Sequence, residues 1–143
     1  MKCVLDASVT LTWLLKDAGE RNAAYAFDVL RQIRAPGTEI HVPTTWGLEI
    51  ANVIARSEAK GVLSEAQSEG FLEMLHAVPI AIDASTAARA LSETLQLARR
   101  YRLSSYDASY LELALRSGLP LATLAEALQK AAAKSGVKLL KAA

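Results

Sequence analysis

Apolar positions along this chain switch between two periods, and the switches mark its elements. Lys2-Cys3-Val4-Leu5 is a run of strand formers that ends abruptly at Asp6, and Ala7-Ser8-Val9-Thr10-Leu11 then leads into Trp13-Leu14-Leu15 at helical spacing. The pattern predicts strand, tight turn, helix. From Glu20 to Arg34 the residues Ala23, Ala24, Phe27, Leu30 and Ile33 recur at helical intervals until Ala35-Pro36-Gly37 stops them, which predicts an amphipathic helix. Ile40-His41-Val42-Pro43 reads as a second strand. Thr44 or Thr45 then caps a helix from about Trp46 to Ala59, with Gly61 as its stop. Ser64-Glu65-Ala66-Gln67 fits a capping box and opens the next helix, to about His76.

Val78-Pro79-Ile80-Ala81-Ile82 predicts a third strand, with Pro79 favouring a sheet edge, and Asp83 or Ser85 caps a helix through to Arg100. Tyr106 to Arg116 is helical and almost wholly apolar, and Gly118 ends it. Leu119 to Thr123 is a fourth strand-like run, a helix follows from about Leu124 to Lys134, and Val137-Lys138-Leu139-Leu140 makes a plausible last strand. Strands alternating with helices need crossover connections. The chain is therefore expected to form a three-layer α/β/α fold around a mostly parallel sheet of four or five short strands. With 143 residues and no repeat or linker, residues 1–143 read as one domain.

Composition sharpens this picture in a few places. Hydrophobic residues make up 52% and aromatics 6%, so the core is aliphatic and some apolar surface is left for a partner or a second copy. A net charge of +1 gives no general pull toward nucleic acid, so an anionic substrate has to be held by a local site. Cys3 is the only cysteine, which excludes an internal disulfide and fits a small buried hydrophobe in a reducing compartment. Charged residues interrupt every apolar stretch short of a membrane span, and Asp6 comes too early for a signal-peptide core, so a cytoplasmic protein without membrane contact is expected.

Three acids stand out for chemistry. Asp6 sits at a strand's carboxyl end, where open parallel sheets gather ligands, although it also suits a helix cap. Glu49 shares a narrow polar stripe with Asn52 and Arg56, beside the apolar face of Trp46, Ile50, Val53 and Ile54, and an ordinary solvated face explains that stripe as well. Asp107 shares a helix face with Tyr110, Leu111 and Ala114, where an unpaired carboxylate is costly. It is either an N-cap, like its neighbours Ser104 and Ser105, or it answers a cation or buried partner. Hard Mg²⁺ or Mn²⁺ suits acids delivered from separate elements. His41 and His76 have no zinc-ligand spacing, and no Gly-rich phosphate loop or nucleophile elbow is present.

Four segments together resemble the acidic motifs of PIN domains: Val4-Leu5-Asp6-Ala7-Ser8, Leu48-Glu49-Ile50-Ala51-Asn52, Leu103-Ser104-Ser105-Tyr106-Asp107-Ala108 with its trailing Tyr110-Leu111-Glu112-Leu113-Ala114, and Leu121-Ala122-Thr123-Leu124. The branch most resembled is the VapC-like toxins of bacterial toxin–antitoxin pairs. The resemblance implies Mg²⁺- or Mn²⁺-dependent endonucleolytic cleavage of RNA by metal-activated water. It also implies inhibition by a cognate antitoxin whose C-terminal tail fills the active-site groove, and a homodimer. On it, Asp6, Glu49 and Asp107 are the catalytic and metal-holding acids, with Ser8, Asn52 and Thr123 as supporting residues. Arg100, with Arg99, Arg102 and Arg56, would form a basic rim for RNA backbone, unless these arginines only complement a helix end.

One departure stands out. The family commonly carries a fourth acid at the position held here by Ala125, and Glu126 points about 100° away around the helix. That leaves open a catalytically impaired PIN-like module that only binds antitoxin or RNA. A phosphoacceptor receiver domain also uses a strand-end Asp, but it wants an acidic pair near the first strand and a lysine after the last, and neither is clear here.

Overall fold

In the computed structural model, which describes residues 1–142, four short strands pair side by side. β1 (Lys2–Leu5), β2 (Glu39–Val42), β3 (Ile80–Ile82) and β4 (Leu121–Ala122) form one wholly parallel sheet in the order β3-β2-β1-β4. Helices cover both of its faces, giving the three-layer arrangement that the alternation predicts. β1 lies at the centre, and Cys3, Val4 and Leu5 are all fully buried, as expected for a strand covered on both sides. Burial pushes the Cys3 thiol up to about 12, so it behaves as a small hydrophobe.

The helices are α1 (Ala7–Thr12), α2 (Glu20–Ile33), α3 (Trp46–Ala59), α4 (Glu65–His76), α5 (Thr86–Arg89), α6 (Leu95–Tyr101), α7 (Ser105–Ser117) and α8 (Glu126–Ser135). Two tryptophans lock the first three together. Trp13 Nε1 donates to the Ala26 carbonyl at 2.7 Å, and Trp46 Nε1 reaches Thr10 Oγ1 at 3.4 Å. The second contact fixes the start of α3 against α1, which matters for Glu49 below. At α4 the capping box forms as its sequence predicts: Gln67 N–H donates to Ser64 Oγ at 3.1 Å, and Ser64 N–H donates to Gln67 Oε1 at 2.9 Å.

Several expectations are corrected. Val137 to Leu140 does not extend into a strand: it makes a single parallel bridge, Leu121 to Leu139, with Leu121 N–H donating to the Lys138 carbonyl and Leu140 N–H to the Leu121 carbonyl. The helix expected through to Arg100 forms as a continuous helical run over residues 86–101 with Ser85 at its N-cap, and the one departure is a π-helical turn over Ala90–Thr94 between α5 and α6. Asp83 instead accepts a two-pronged contact from Arg116 of α7, at 3.1 and 2.6 Å, which ties the end of the edge strand to that helix. Thr45 takes the N-cap position of α3 without a side-chain cap bond, while the Thr44 hydroxyl donates to the Asp83 carbonyl. On α2 the buried face is Ala26, Val29, Leu30 and Ile33, and Phe27 and Ala24 turn outward. Periodicity alone left two adjacent stripes, and packing against the sheet selected between them.

Gly118 takes the left-handed conformation (φ 66) that closes α7, and its N–H returns to the Ala114 carbonyl. Because both reciprocal bonds of the α4 box are in place, Ser64→Ala is expected to cost about 1 kcal/mol. The check is urea unfolding, where the midpoint should fall at unchanged slope.

Candidate active site

The parallel pairing of Leu5 with Ala122 places the two following residues, Asp6 and Thr123, side by side at the carboxyl edge of the sheet. Asp6 N–H donates to the Ala122 carbonyl at 2.9 Å, continuing the ladder by one step. The hydroxyls of Ser8 and Thr123 both donate to Asp6 Oδ2, each at 2.7 Å. Each hydroxyl oxygen in turn accepts a backbone N–H at 3.0 Å, Ser8 from Leu124 and Thr123 from Ala125. Those amides occupy the hydroxyl lone pairs and so aim both protons at the carboxylate. No side-chain donor among the described residues takes Oδ1. Asp6 occupies the N-cap position of α1 but makes no side-chain cap bond, so capping does not explain it. Burial raises its pKa, and the Ser8 and Thr123 hydroxyls with the Ser8 and Ala7 amides only partly offset this.

Glu49 comes from the first turn of α3 and is half-buried. Tyr110, fully buried on α7, donates its phenol to Glu49 Oε1 at 3.1 Å. Burial is the main reason the Glu49 carboxyl is pushed up to about 7; the Asp6 charge adds to it and Asp107 adds less, against the Tyr110 and Thr45 hydroxyls. Asp107 is half-buried near the start of α7. Ser104 is the N-cap there and accepts Asp107 N–H at 3.1 Å, so the carboxylate of Asp107 is not the cap. Burial and then the Asp6 charge raise its pKa. Each acid that the sequence singles out thus raises or is raised by another, the mark of like charges brought together.

All three open into one cleft of about 610 Å³, together with Ser8 and Asn52. Its walls are apolar, from Leu11, Leu48, Val53 and Tyr106, and Ala125 completes the rim. No lysine or arginine lines it, so nothing basic in the cleft balances the acids. No histidine or cysteine lines it either, and among the described residues no three His, Cys, Asp or Glu side chains stand close enough to make a complete metal cage. That donor set fits a hard divalent cation that keeps several waters and takes one or two carboxylates directly, and it does not fit a closed zinc site. A hollow of similar size, about 620 Å³, beside α6 and α7 is lined by Arg89, Glu112 and Arg116, whose charges already pair with one another.

Arg100 is not brought to the acids. It is exposed, lies over the Tyr101 ring at 5.5 Å, and lines two other clefts. Arg99 and Arg100 form the last turn of α6 and Arg102 is its C-cap, positions where positive charge complements the helix dipole. Thr123 sits beneath the cleft as a buried donor to Asp6. Sequence reasoning passed over Tyr110 and the exposed wall residues Leu48 and Tyr106. The available signal for Tyr110 was its position one turn after Asp107 on the same helix face. Among the described residues no helix is long and apolar enough to cross a membrane.

The raised carboxylates make a signed prediction for the protein in chelator. Unfolded Glu49 ionises near 4.5 but the folded residue only near 7, so within that window unfolding releases a proton. Stability should therefore fall as pH rises from about 4.5 to about 7, and Glu49→Gln should flatten the decline. Melting temperatures in EDTA across this range test it, and a parent profile identical to that of the variant would contradict the assignment.

Comparisons with known proteins agree with this geometry. The model of the PIN domain family matches residues 3–134. Ribonuclease VapC3 of Mycobacterium tuberculosis is 32% identical over 130 residues, 90% of this chain and 85% of that protein. Ribonuclease VapC3 of Pyrobaculum aerophilum is 27% identical over 124 residues, 87% of this chain and 89% of that protein. Among solved structures, the fold matches PAE2754 from Pyrobaculum aerophilum with a TM-score of 0.65 at 20% identity, over 92% of this chain and 84% of that one. A toxin–antitoxin complex from Klebsiella pneumoniae matches with a TM-score of 0.54 at 18% identity, over 85% of this chain and 84% of that one. With the family motif spanning nearly all of its length and its acids gathered at the sheet's carboxyl edge, this chain belongs to the PIN-domain family, in its VapC-like branch.

Proposed function

We propose that this chain is the toxin endoribonuclease of a toxin–antitoxin pair and cleaves RNA phosphodiesters at the Asp6, Glu49 and Asp107 cleft. The observation that carries the reading is the convergence of three carboxylates from separate elements in a cleft that holds no basic side chain. The ribonuclease names of the VapC3 relatives support the same activity. They also weigh against the silent binding module that Ala125 leaves open.

Asp6 through Oδ1, with Asp107, would hold Mg²⁺ or Mn²⁺, and Glu49 would complete the site directly or through water. When bound, the cation supplies charge neutralisation at the phosphate and a water acidic enough to attack it in line. Ser8 and Thr123 favour the ionised form of Asp6 against its burial and fix its rotamer by donating to Oδ2. Glu49, held at Oε1 by the Tyr110 phenol, would orient the attacking water or bind the cation through it. Asn52, one turn beyond Glu49 and exposed at the rim, can donate its amide to a phosphate or sugar oxygen. Ala125 leaves the site short of a carboxylate at the rim, which weakens a second cation position rather than the first.

The Klebsiella pneumoniae complex supports a cognate antitoxin as the partner, and the family resemblance is what would put that partner's C-terminal tail in this cleft. Exposed Ile82 (65%) and Leu91 (87%) support a homodimer. Arg100 lines, with Arg102 and Lys130, a separate cleft against the start of α8, where Glu126 and Ala127 follow Ala125 of the acidic cleft, and RNA leaving the acids would meet positive charge there.

Cleavage of a mixed RNA pool in Mn²⁺ is the direct test. Asp6→Asn should abolish product and Glu49→Gln should slow it on the order of a hundredfold, whereas Ala125→Asp should raise it. Equal rates for the parent and Asp6→Asn would refute the assignment. Sedimentation equilibrium should return twice the chain mass, and monomer at all concentrations would remove the dimer.

A further inference from the structure

Tyr110 is the largest fully buried side chain in the protein, yet it carries a hydroxyl. A phenol left without a partner in an aliphatic core costs on the order of 1–3 kcal/mol, and a phenylalanine would fill the same volume without that penalty. The hydroxyl does have a partner, and it lies on another element: Glu49 Oε1 at 3.1 Å, 61 residues away in sequence. Tyr110 also sits one turn after Asp107 on the same face of α7, so a single helix supplies one acid of the cleft and the tether for a second.

We infer that Tyr110 is a positioning residue for the proposed reaction: by holding Glu49 Oε1 through its phenol, it turns the other carboxylate oxygen toward the cleft shared with Asp6 and Asp107. The inference rests on the reading of Glu49 as a member of the metal site. It repeats on the α3 side what Ser8 and Thr123 do for Asp6, where both hydroxyls take one oxygen and leave the other. A free glutamate on a helix surface samples many rotamers, and half-burial alone does not select one. Tyr110 selects it from beneath, out of reach of solvent and of substrate, so it acts through Glu49 and not on the RNA.

A double-mutant cycle on Mn²⁺ affinity, without RNA, tests this. Free Mn²⁺ is followed by electron paramagnetic resonance for the parent, Tyr110→Phe, Glu49→Gln and the double variant, with chelated melting temperatures beside them. Tyr110→Phe should weaken Mn²⁺ binding about tenfold in the parent, and by less than about twofold where Glu49 is already Gln. Equal loss in both backgrounds would reveal a purely structural role, and no loss in the parent would also overturn the inference. In case the phenylalanine variant unfolds, Glu49→Asp withdraws the carboxylate from the phenol while leaving the core intact. It should match the loss in Tyr110→Phe, and parent-like affinity would overturn the inference. Failure of the parent to bind Mn²⁺ strikes the metal reading itself and is seen before any variant is compared.

Discussion

Burial of a carboxylate at the end of a central strand, with two more acids gathered around it, is the constraint around which this molecule is organised. Asp6 is almost wholly removed from solvent, and Glu49 and Asp107 are half-buried around it. Each is pushed toward protonation chiefly by burial, and the latter two also by the charge on Asp6. A fold selected for stability alone would place an arginine among them, as it does at Asp83 and Glu112. In the cleft the protein supplies only neutral donors: the Ser8 and Thr123 hydroxyls with nearby amides for Asp6, and the Tyr110 phenol with the Thr45 hydroxyl for Glu49. Neutral donors steady a carboxylate without cancelling its charge, so its attraction for a cation survives.

The topology explains why the acids meet at this place. Strand order runs outward from β1 through β2 to β3, then crosses back so that β4 lies on the other side of β1. That reversal leaves a crevice at the carboxyl ends of β1 and β4, where α1 and the segment into α8 depart. The same order sets aside the receiver-like alternative, whose strands follow 2-1-3. Asp6 and Thr123 are consecutive with paired strand residues, so their contact follows from register rather than from a flexible loop. α3 and α7 then bring Glu49 and Asp107 in from either flank, with α3 held by the Trp46 contact to Thr10.

Most of this was readable in the chain because it rests on local chemistry. The Ser64 box, the Gly118 stop and the β1 run ending in Asp6 are short-range signals, and all three stand in the structure. The acids themselves were visible as polar residues placed against an apolar pattern. What escaped depends on contacts distant in sequence. The outward face of α2 was settled by the sheet it packs on, and Val137 to Leu140 had strand composition but little edge left to pair with. Tyr110 looked like one more core aromatic, since its value lies in a partner 61 residues away. Arg100 and Arg102 do share a cleft with Lys130 and Lys134, but that cleft is not the one that holds the acids, and sequence spacing alone carries no signal for which cleft a helix end will border.

The Ala125 amide carries a separate lesson. Its N–H orients the Thr123 hydroxyl, while its side chain merely borders the cleft. Scaffold and chemistry are thereby divided between backbone and side chain at a single position. Any residue other than proline can supply that amide proton to Thr123, so the backbone half of the arrangement survives most substitutions. Natural drift at position 125 can therefore raise or lower the potency of the enzyme freely, with the architecture of the site left untouched.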